Sequence, residues 1–567
     1  MKLSDPGTRG IKQPALEAHI PDGSALREYL SAKQETGRRP ADPRPARFAA
    51  VREPMDRWPR ILLVSPPMNA SEGSVKRVIP PLGLSYIGAA LEEASIPCDL
   101  LDCVVEGVDQ ETCLGDRTWR YGLSFEEVAR RVEVGGYEVV GLSLLYSSDL
   151  DNLLECARAI KARTPGVCIV AGGLHISIYT AQVLAEAAGS GAPSIDFAIR
   201  GEGEYRFLDF IRNFRAGLVD LHADGLAGWH DGEIFVNPQI SSIQEVDRIP
   251  FPAYGKLPVE KYFAFNVPFS PFPRGERVMQ MYTSRGCPVG CAFCASTNFN
   301  KAYRARSVDN VMEEIRLHVE RYAIDEIQFA DDNLTFHRGR AMELFRRLAG
   351  FGLPWCTPNG TMVNTLTPEM LDLMVDSGMY QITLSLDSAN VRTLRERHRK
   401  PVDLDRVPAL MRHLEGRGVL MHGTLVVGMP GETLGEIQEG FDFVRGLPFH
   451  SLGVFIAQAI PGSELYESAL HAGTITPRKA RSIDTARSSL QLSSIRPDEL
   501  ESCVEDFLYA FNQEVRRRDP AAWNRKYGRH LDRLERICIG RAAPNTDGVI
   551  RAANTGAGTL GRVAAEP

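Results

Sequence analysis

The chain has 567 residues, 44% of them hydrophobic and 24% charged, and a formal net charge of −7. That length exceeds what one core can fill and predicts several domains, while the mild negative balance excludes a general nucleic-acid surface. No apolar run approaches the roughly 18–20 residues that span a bilayer, the first residues lack a secretory core, and an odd count of 11 cysteines does not read as a disulfide scaffold. A cytoplasmic protein with neither nucleic acid nor membrane as partner is expected.

Residues 1–57 are rich in Pro, Arg and Ala and read as a disordered lead with a short helix near Ala25–Lys33. From 58 to 210, β-branched runs alternate with amphipathic stretches, which predicts α/β structure with a parallel sheet. Strands are expected at 60–67, 98–103, 137–145, 167–173 and 194–204, with helices at Leu82–Ala94, Phe125–Val134, Asp149–Arg163 and Thr180–Ala188. Five buried strands with intervening helices make a doubly wound, Rossmann-like sheet whose ligands gather at the strands' carboxyl ends. The loops there are SPPMNASEGS, LLYSSD, GGLHIS and RGEGE. GxGxxG is absent after the first strand, so a dinucleotide is not expected.

Residues 211–275 read as an ordered linker. Between 276 and 475 six further strand runs, at 277–284, 326–332, 353–360, 381–388, 420–430 and 452–462, alternate with helical patterns. They predict a partial (β/α)6 barrel of TIM type with its functional residues at the strand C-termini. Residues 476–540 read as a helical C-terminal appendage and 541–567 as a disordered, Gly/Ala-rich tail.

The first barrel strand leads directly into SRGCPVGCAFCAST, which carries Cys287, Cys291 and Cys294 in the spacing Cys-x3-Cys-x2-Cys. Structural zinc normally takes four N or S ligands, and Ser296, Asn298 and Asn300 are poor fourth donors. Three thiolates on a [4Fe–4S] cluster instead leave one iron open to a ligand. Phe293 adds an aromatic shield.

This motif, on the first loop of a six-unit βα barrel, resembles the radical S-adenosylmethionine (SAM) superfamily. The resemblance implies that the three cysteines hold the cluster and that its open iron chelates SAM. It also implies SAM contacts at later strand ends: Asp331, Asp332 and Asn333 after the second, Ser385 and Asp387 after the fourth, Gly428 after the fifth and Ile460 after the sixth. The first domain resembles the cobalamin-binding domains fused to such barrels, which places cobalamin near Pro67, Tyr146, Ser147, Gly172, Gly173, His175, Gly201 and Glu202. The Asp-x-His-x-x-Gly signature of many cobalamin proteins is absent, which implies a cobalt with no protein histidine beneath it.

Together these resemblances imply a cobalamin-dependent radical SAM methyltransferase of natural-product biosynthesis. A 5′-deoxyadenosyl radical would activate a substrate carbon, or even phosphorus, and methylcobalamin would donate the methyl group. A small molecule or peptide is the expected substrate, with Tyr303, Arg304, Asn359 and Gln458 as candidate contacts. A flavodoxin or ferredoxin is the expected electron donor. The alternatives are a cyclisation, rearrangement or oxidation without methyl transfer, and a non-catalytic iron–sulfur sensor. Methylthio transfer would need a second cysteine triplet, and Cys98, Cys103 and Cys113 are irregularly spaced. The basic run RERHRK (395–400) reads as a solvated helix end.

Overall fold

In the computed structural model the described residues are 48–528, apart from 116, 190, 240, 271, 296–300 and 477–490, together with 530 and 539. The expected helix near Ala25–Lys33, the lead up to residue 47 and the tail from 541 lie outside them.

The first domain is built on the parallel strands β1 (Ile61–Ser65), β2 (Cys98–Asp102), β3 (Val139–Ser143), β4 (Cys168–Gly172) and β5 (Phe197–Ile199), in spatial order β2-β1-β3-β4-β5. Side chains alternate across a strand. Leu62 and Val64 therefore enter one core with the helices Phe125–Gly135, Leu150–Arg163 and Thr180–Ala188. Ile61 and Leu63 enter the other with Leu82–Glu93 and Glu204–Arg215. The order reverses between β1 and β3, which makes their carboxyl ends the crevice where such sheets take ligands.

Strand pairing runs past the expected boundaries at both ends of this domain. β6 (Leu226–His230) and β7 (Glu233–Val236) add antiparallel to the β5 edge, so the sheet runs on into the expected linker. Phe48–Ala50 pairs with Leu218–Asp220, which ties down the end of the expected lead. A small antiparallel sheet of Met68–Ser71, Glu111–Gly115 and Thr118–Tyr121 was also not anticipated. Its side chains are mostly half-exposed, and it lacks the apolar run that marks a buried strand.

The second domain has the strands β8 (Val278–Met281), β9 (Glu326–Phe329), β10 (Trp355–Cys356), β11 (Met379–Asp387), β12 (Leu420–Val427) and β13 (Ser451–Ile456), all parallel and adjacent in chain order. This is an open six-stranded barrel. β10 is short, and Trp355 anchors it by stacking on Phe345 at 5.3 Å and donating from Nε1 to Ser377 O at 3.1 Å. Helix Val308–Tyr322 after the cysteine loop starts where Ser307 Oγ accepts from Asn310 N, the capping a serine supplies.

The C-terminal helix Pro497–Arg518 buries Leu500, Val504, Phe507 and Phe511, with Phe507 stacked on Phe441 at 3.8 Å. Beyond it the chain turns to the start of β13, where buried Lys526 donates from Nζ to Ser451 Oγ. Burial pushes this ammonium from 10.5 down to about 7. The unfolded chain therefore binds more protons between those values, so the stability Lys526 contributes is full above 10.5 and lost as pH falls toward 7. His422, bonded to the same Ser451 Oγ, and His450 are both held neutral by burial. Melting scans should show the wild type gaining several degrees relative to Lys526→Met between pH 7 and pH 9; parallel curves would contradict the burial argument.

Candidate functional site

Beyond β8, Ser284–Arg285 pairs antiparallel with Arg304–Ala305, and these two feet close the loop that carries the cysteines. Gly286 and Gly290 turn it with φ of +87° and +67°, a region that favours glycine. Cys287, Cys291 and Cys294 are all half-buried, and Cys294 N donates to Cys291 O at 3.1 Å. Burial pushes the Cys287 thiol up and Cys291 to about 12. Lys400 opposes this at Cys291, while Asp387, Cys294 and Cys287 add to it. Such groups ionise readily only when a cation binds them. Among the described residues no three Cys, His, Asp or Glu side chains are grouped to share one ion. Three thiols are one donor short of a structural zinc site, whereas on a [4Fe–4S] cluster each binds its own iron.

The second and fourth strand ends surround this loop. Buried Asp331 accepts from Thr283 N at 3.0 Å and Thr283 Oγ1 at 2.8 Å and from Ser284 Oγ. Its carboxylate is therefore engaged by the chain entering the loop. Asp332 reaches solvent, and its carboxyl is pushed up by desolvation from the surrounding chain and then by Asp331. Asn333 is buried with Oδ1 unpaired. Ser385 is half-exposed against Gly360, where a Cβ would lie 2.0 Å from its Oγ.

Asp387, at φ +61°, pairs with Lys400 Nζ at 2.5 Å, and both are buried. His398 is fully buried with neither ring nitrogen bonded, and burial lowers it to about 4. Phe293 packs edge-on against it at 5.3 Å, and His398 O accepts from Ala292 N at 3.0 Å. At the fifth end, Gly428 (φ +83°) donates to Glu432 Oε2 at 2.6 Å. At the sixth, Ile460 is half-buried and Gln458 buried.

Buried polar atoms without partners are rare in proteins, and Asn333 Oδ1 and both ring nitrogens of His398 are such atoms, Asn333 beside Cys287 and His398 against Phe293. Polar groups left open beside the cysteine loop fit a polar ligand such as SAM. His398 and Lys400 were missed as functional candidates because RERHRK reads as a basic helix end. The π-helical turn Thr393–His398 instead carries them inward while Arg395 and Arg399 stay outside. The spacing of His398 four residues after apolar Leu394 was the available signal.

At the crevice of the first sheet, Leu145 and Tyr146 follow β3 with 64% and 44% exposure. This apolar ledge at the switch point fits a broad ligand such as cobalamin. Buried Pro67 accepts at its carbonyl from Asn152 Nδ2 at 3.0 Å. His175 Nδ1 meets Ser147 Oγ at 2.8 Å and the ring is buried beside Tyr179, so this histidine braces the β3 loop and is not displayed as a cobalt ligand.

Gly172 O accepts from Leu144 N at 2.8 Å. Gly173 has φ +113°, and a Cβ there would lie 2.2 Å from Leu144 O. Gly173→Ala should cost about 3 kcal/mol from backbone strain and clash and weaken cobalamin binding, read by melting and by a cobalamin titration. Gly201 donates from N to Ser177 Oγ at 2.9 Å. Both oxygens of Glu202 are engaged, by Arg285, Arg304 and Ile243 N.

The candidate substrate contacts divide. Arg304 is buried in that ion pair and is not displayed to a ligand. Asn359 is exposed but donates to Ala330 O at 2.5 Å. The Tyr303 ring lies 4.9 Å from that of exposed Phe336, and its hydroxyl is buried without a bonded partner.

Residues 72–211 match the B12 binding domain and residues 281–444 the Radical SAM superfamily. A cytidylyl-2-hydroxyethylphosphonate methyltransferase of Streptomyces wedmorensis is 34% identical over 455 residues, 75% of this chain and 84% of that protein. The chain belongs to the cobalamin-dependent radical SAM methyltransferases. An uncharacterised methyltransferase of Pyrococcus horikoshii is 28% identical over 80% of this chain and 92% of its own. The methyltransferase TsrM from Kitasatospora setae, solved with cobalamin and a [4Fe–4S] cluster, shares the fold with a TM-score of 0.58 at 17% identity, covering 74% of this chain and 79% of that one. The cobalamin-dependent SAM radical enzyme OxsB, solved with aqua-cobalamin and SAM, follows at 0.53 and 16%, covering 68% and 52%. As a member of this family the chain uses a [4Fe–4S] cluster, SAM and cobalamin. Among the described residues, no helix is long and apolar enough to cross a membrane.

Proposed function

We propose that this methyltransferase acts on a carbon of a small organophosphorus compound carried on a nucleotide. The observation that carries the reading is the 34% identity, over most of both chains, to an enzyme named for a cytidylyl phosphonate. In this reading Cys287, Cys291 and Cys294 hold the cluster. Asn333, His398 and the Asp387–Lys400 pair line the SAM site, and Leu145 and Tyr146 lie under cobalamin. When bound, the cluster supplies the electron that cleaves SAM and cobalamin supplies the methyl group.

The chain's own task is placement. The substrate carbon must lie between the barrel mouth and the crevice of the first sheet, within reach of both and away from water. Tyr303, at the end of the cysteine loop, and exposed Phe336, its ring tilted at 4.9 Å, are the aromatic surface offered to a nucleobase in this reading. A flavodoxin or ferredoxin would serve as electron donor.

The test is anaerobic turnover with trideuteromethyl SAM, cobalamin and a reductant. Cytidylyl-2-hydroxyethylphosphonate is offered in one arm and free 2-hydroxyethylphosphonate in the other. The reading expects one CD3 for one hydrogen in the nucleotide arm. A labelled product from the free phosphonate alone, or 5′-deoxyadenosine without labelled product in either arm, would contradict it.

A further inference from the structure

Four charged side chains are buried together where the first domain meets the cysteine loop. Glu202 and Glu204 follow β5 in the run Arg200–Glu204. Arg285 stands two residues before Cys287, and Arg304 lies on the opposite foot of the loop. Arg285 reaches Glu202 Oε1 at 2.9 Å from one terminal nitrogen and Glu204 Oε1 at 2.7 Å from the other. Arg304 reaches Glu202 Oε2 at 2.8 Å and donates to Ile243 O at 2.5 Å. None of the four side chains is more than 18% exposed. Tyr86, from the helix after β1, lies under the Arg285 guanidinium at 5.1 Å.

Two carboxylates and two guanidiniums balance in charge, so the network is not forced apart. Yet taking four ions out of water is costly, and apolar packing of equal volume commonly stabilises an interface as well or better. What a forked guanidinium adds is orientation, since two parallel or diverging N–H bonds fix both distance and angle. Here Arg285 forks to both glutamates, Arg304 ties Glu202 to Ile243 O through one terminal nitrogen, and these two arginines belong to the strand pair that closes the cysteine loop. Their partner carboxylates stand on the carboxyl edge of the cobalamin-binding sheet, in the same loop layer as Gly173 and Tyr146.

We propose that Glu202 and Glu204 are positioning residues which, through Arg285 and Arg304, set the distance and angle between the cluster-bearing loop and the cobalamin-bearing sheet. The proposal rests on the reading that the cysteines hold the cluster and the first sheet holds cobalamin. Neither glutamate touches a cofactor. Their effect is on how the two cofactor sites face each other, which a substrate carbon shared between them requires.

The test uses the full chain, reconstituted with iron and sulfide and loaded with cob(II)alamin. Two variants are compared with wild type. Glu202→Gln removes one carboxylate charge at constant shape. Glu204→Gln combined with Arg285→Gln removes a whole pair and leaves no unmatched charge, so it folds even if the first does not. Glu202→Asp serves as the conservative control.

The readout is the magnetic interaction between the reduced cluster and cob(II)alamin, measured as relaxation enhancement of the cobalt signal by pulsed electron paramagnetic resonance. Iron content, cobalt content and 5′-deoxyadenosine formation are measured alongside. The proposal expects both variants to keep iron and cobalt at wild-type stoichiometry while the interaction changes severalfold, with Glu202→Asp close to wild type. An unchanged interaction in a folded, fully loaded variant overturns it. Loss of iron and cobalt from the pairwise-neutral variant also overturns it, because the residues would then be needed only for folding. Absence of iron or cobalt from the wild type would instead overturn the cofactor reading, before any variant is compared.

Discussion

Cys291→Ala protein is expected to hold no intact [4Fe–4S] cluster and to form no 5′-deoxyadenosine. The loop offers three thiols, Cys287, Cys291 and Cys294. Removing one leaves an iron without a protein ligand and exposes the cluster to loss. Cleavage of SAM should fall to background, a drop of about 10⁶-fold or more on the scale of enzyme rate enhancements. The fold should survive, because Cys291 is half-buried and its loop is held independently by Asp331 and by the Arg285 and Arg304 feet.

Cys356→Ala is the matching control. Cys356 is fully buried on β10, where it accepts from the Tyr380 hydroxyl at 3.4 Å on the floor of the barrel. Its loss leaves a small hole and should spare the cluster. Iron analysis and the absorbance of the reconstituted proteins distinguish the two. A Cys291→Ala protein with full iron content would refute the assignment of the loop.

The second large effect is expected at Lys400. Lys400→Met leaves Asp387 buried at 8% side-chain exposure without its cation. Thr424 Oγ1, at 3.5 Å, is a poor replacement. Removing one partner of a buried ion pair typically costs 3–5 kcal/mol. Because Asp387 sits at φ +61° on an irregular register at the end of β11, the strand end itself should loosen. The damage should reach the cysteines, since the neighbouring His398 carbonyl holds Ala292 N. Both melting temperature and SAM affinity should fall. The double variant Asp387→Asn with Lys400→Met, which strands no charge, should recover a large part of the stability but not the affinity. Equal melting temperatures for the single variant and wild type would refute the pairing.

The parallel strands were legible because most are short apolar runs, many of them β-branched, bounded by turn residues, and the barrel strands pair in chain order. The cysteine loop was legible because its three ligands lie within eight residues. What escaped is non-local or ambiguous in pattern. Glu202 meets Arg285 and Arg304 across 83 and 102 residues, and nothing in RGEGE tells a partner of arginine from a contact to cobalamin. Asp331 was placed by its slot at the end of the second strand, and that slot says nothing of its bonds to Thr283, which lies 48 residues earlier in the chain. β6 and β7 escaped because LAGWH and EIFV are short and sit beside turns, so only the β5 edge makes strands of them.

The most direct test of the account loads the reconstituted chain with cob(I)alamin under anaerobic reduction and adds SAM labelled in its methyl group, with no substrate present. A cobalamin-dependent radical SAM methyltransferase should transfer the label to cobalamin and, in the same preparation, release 5′-deoxyadenosine, with Cys291→Ala losing the second product. Release of 5′-deoxyadenosine by a protein that neither retains cobalamin nor passes label to it would contradict the account.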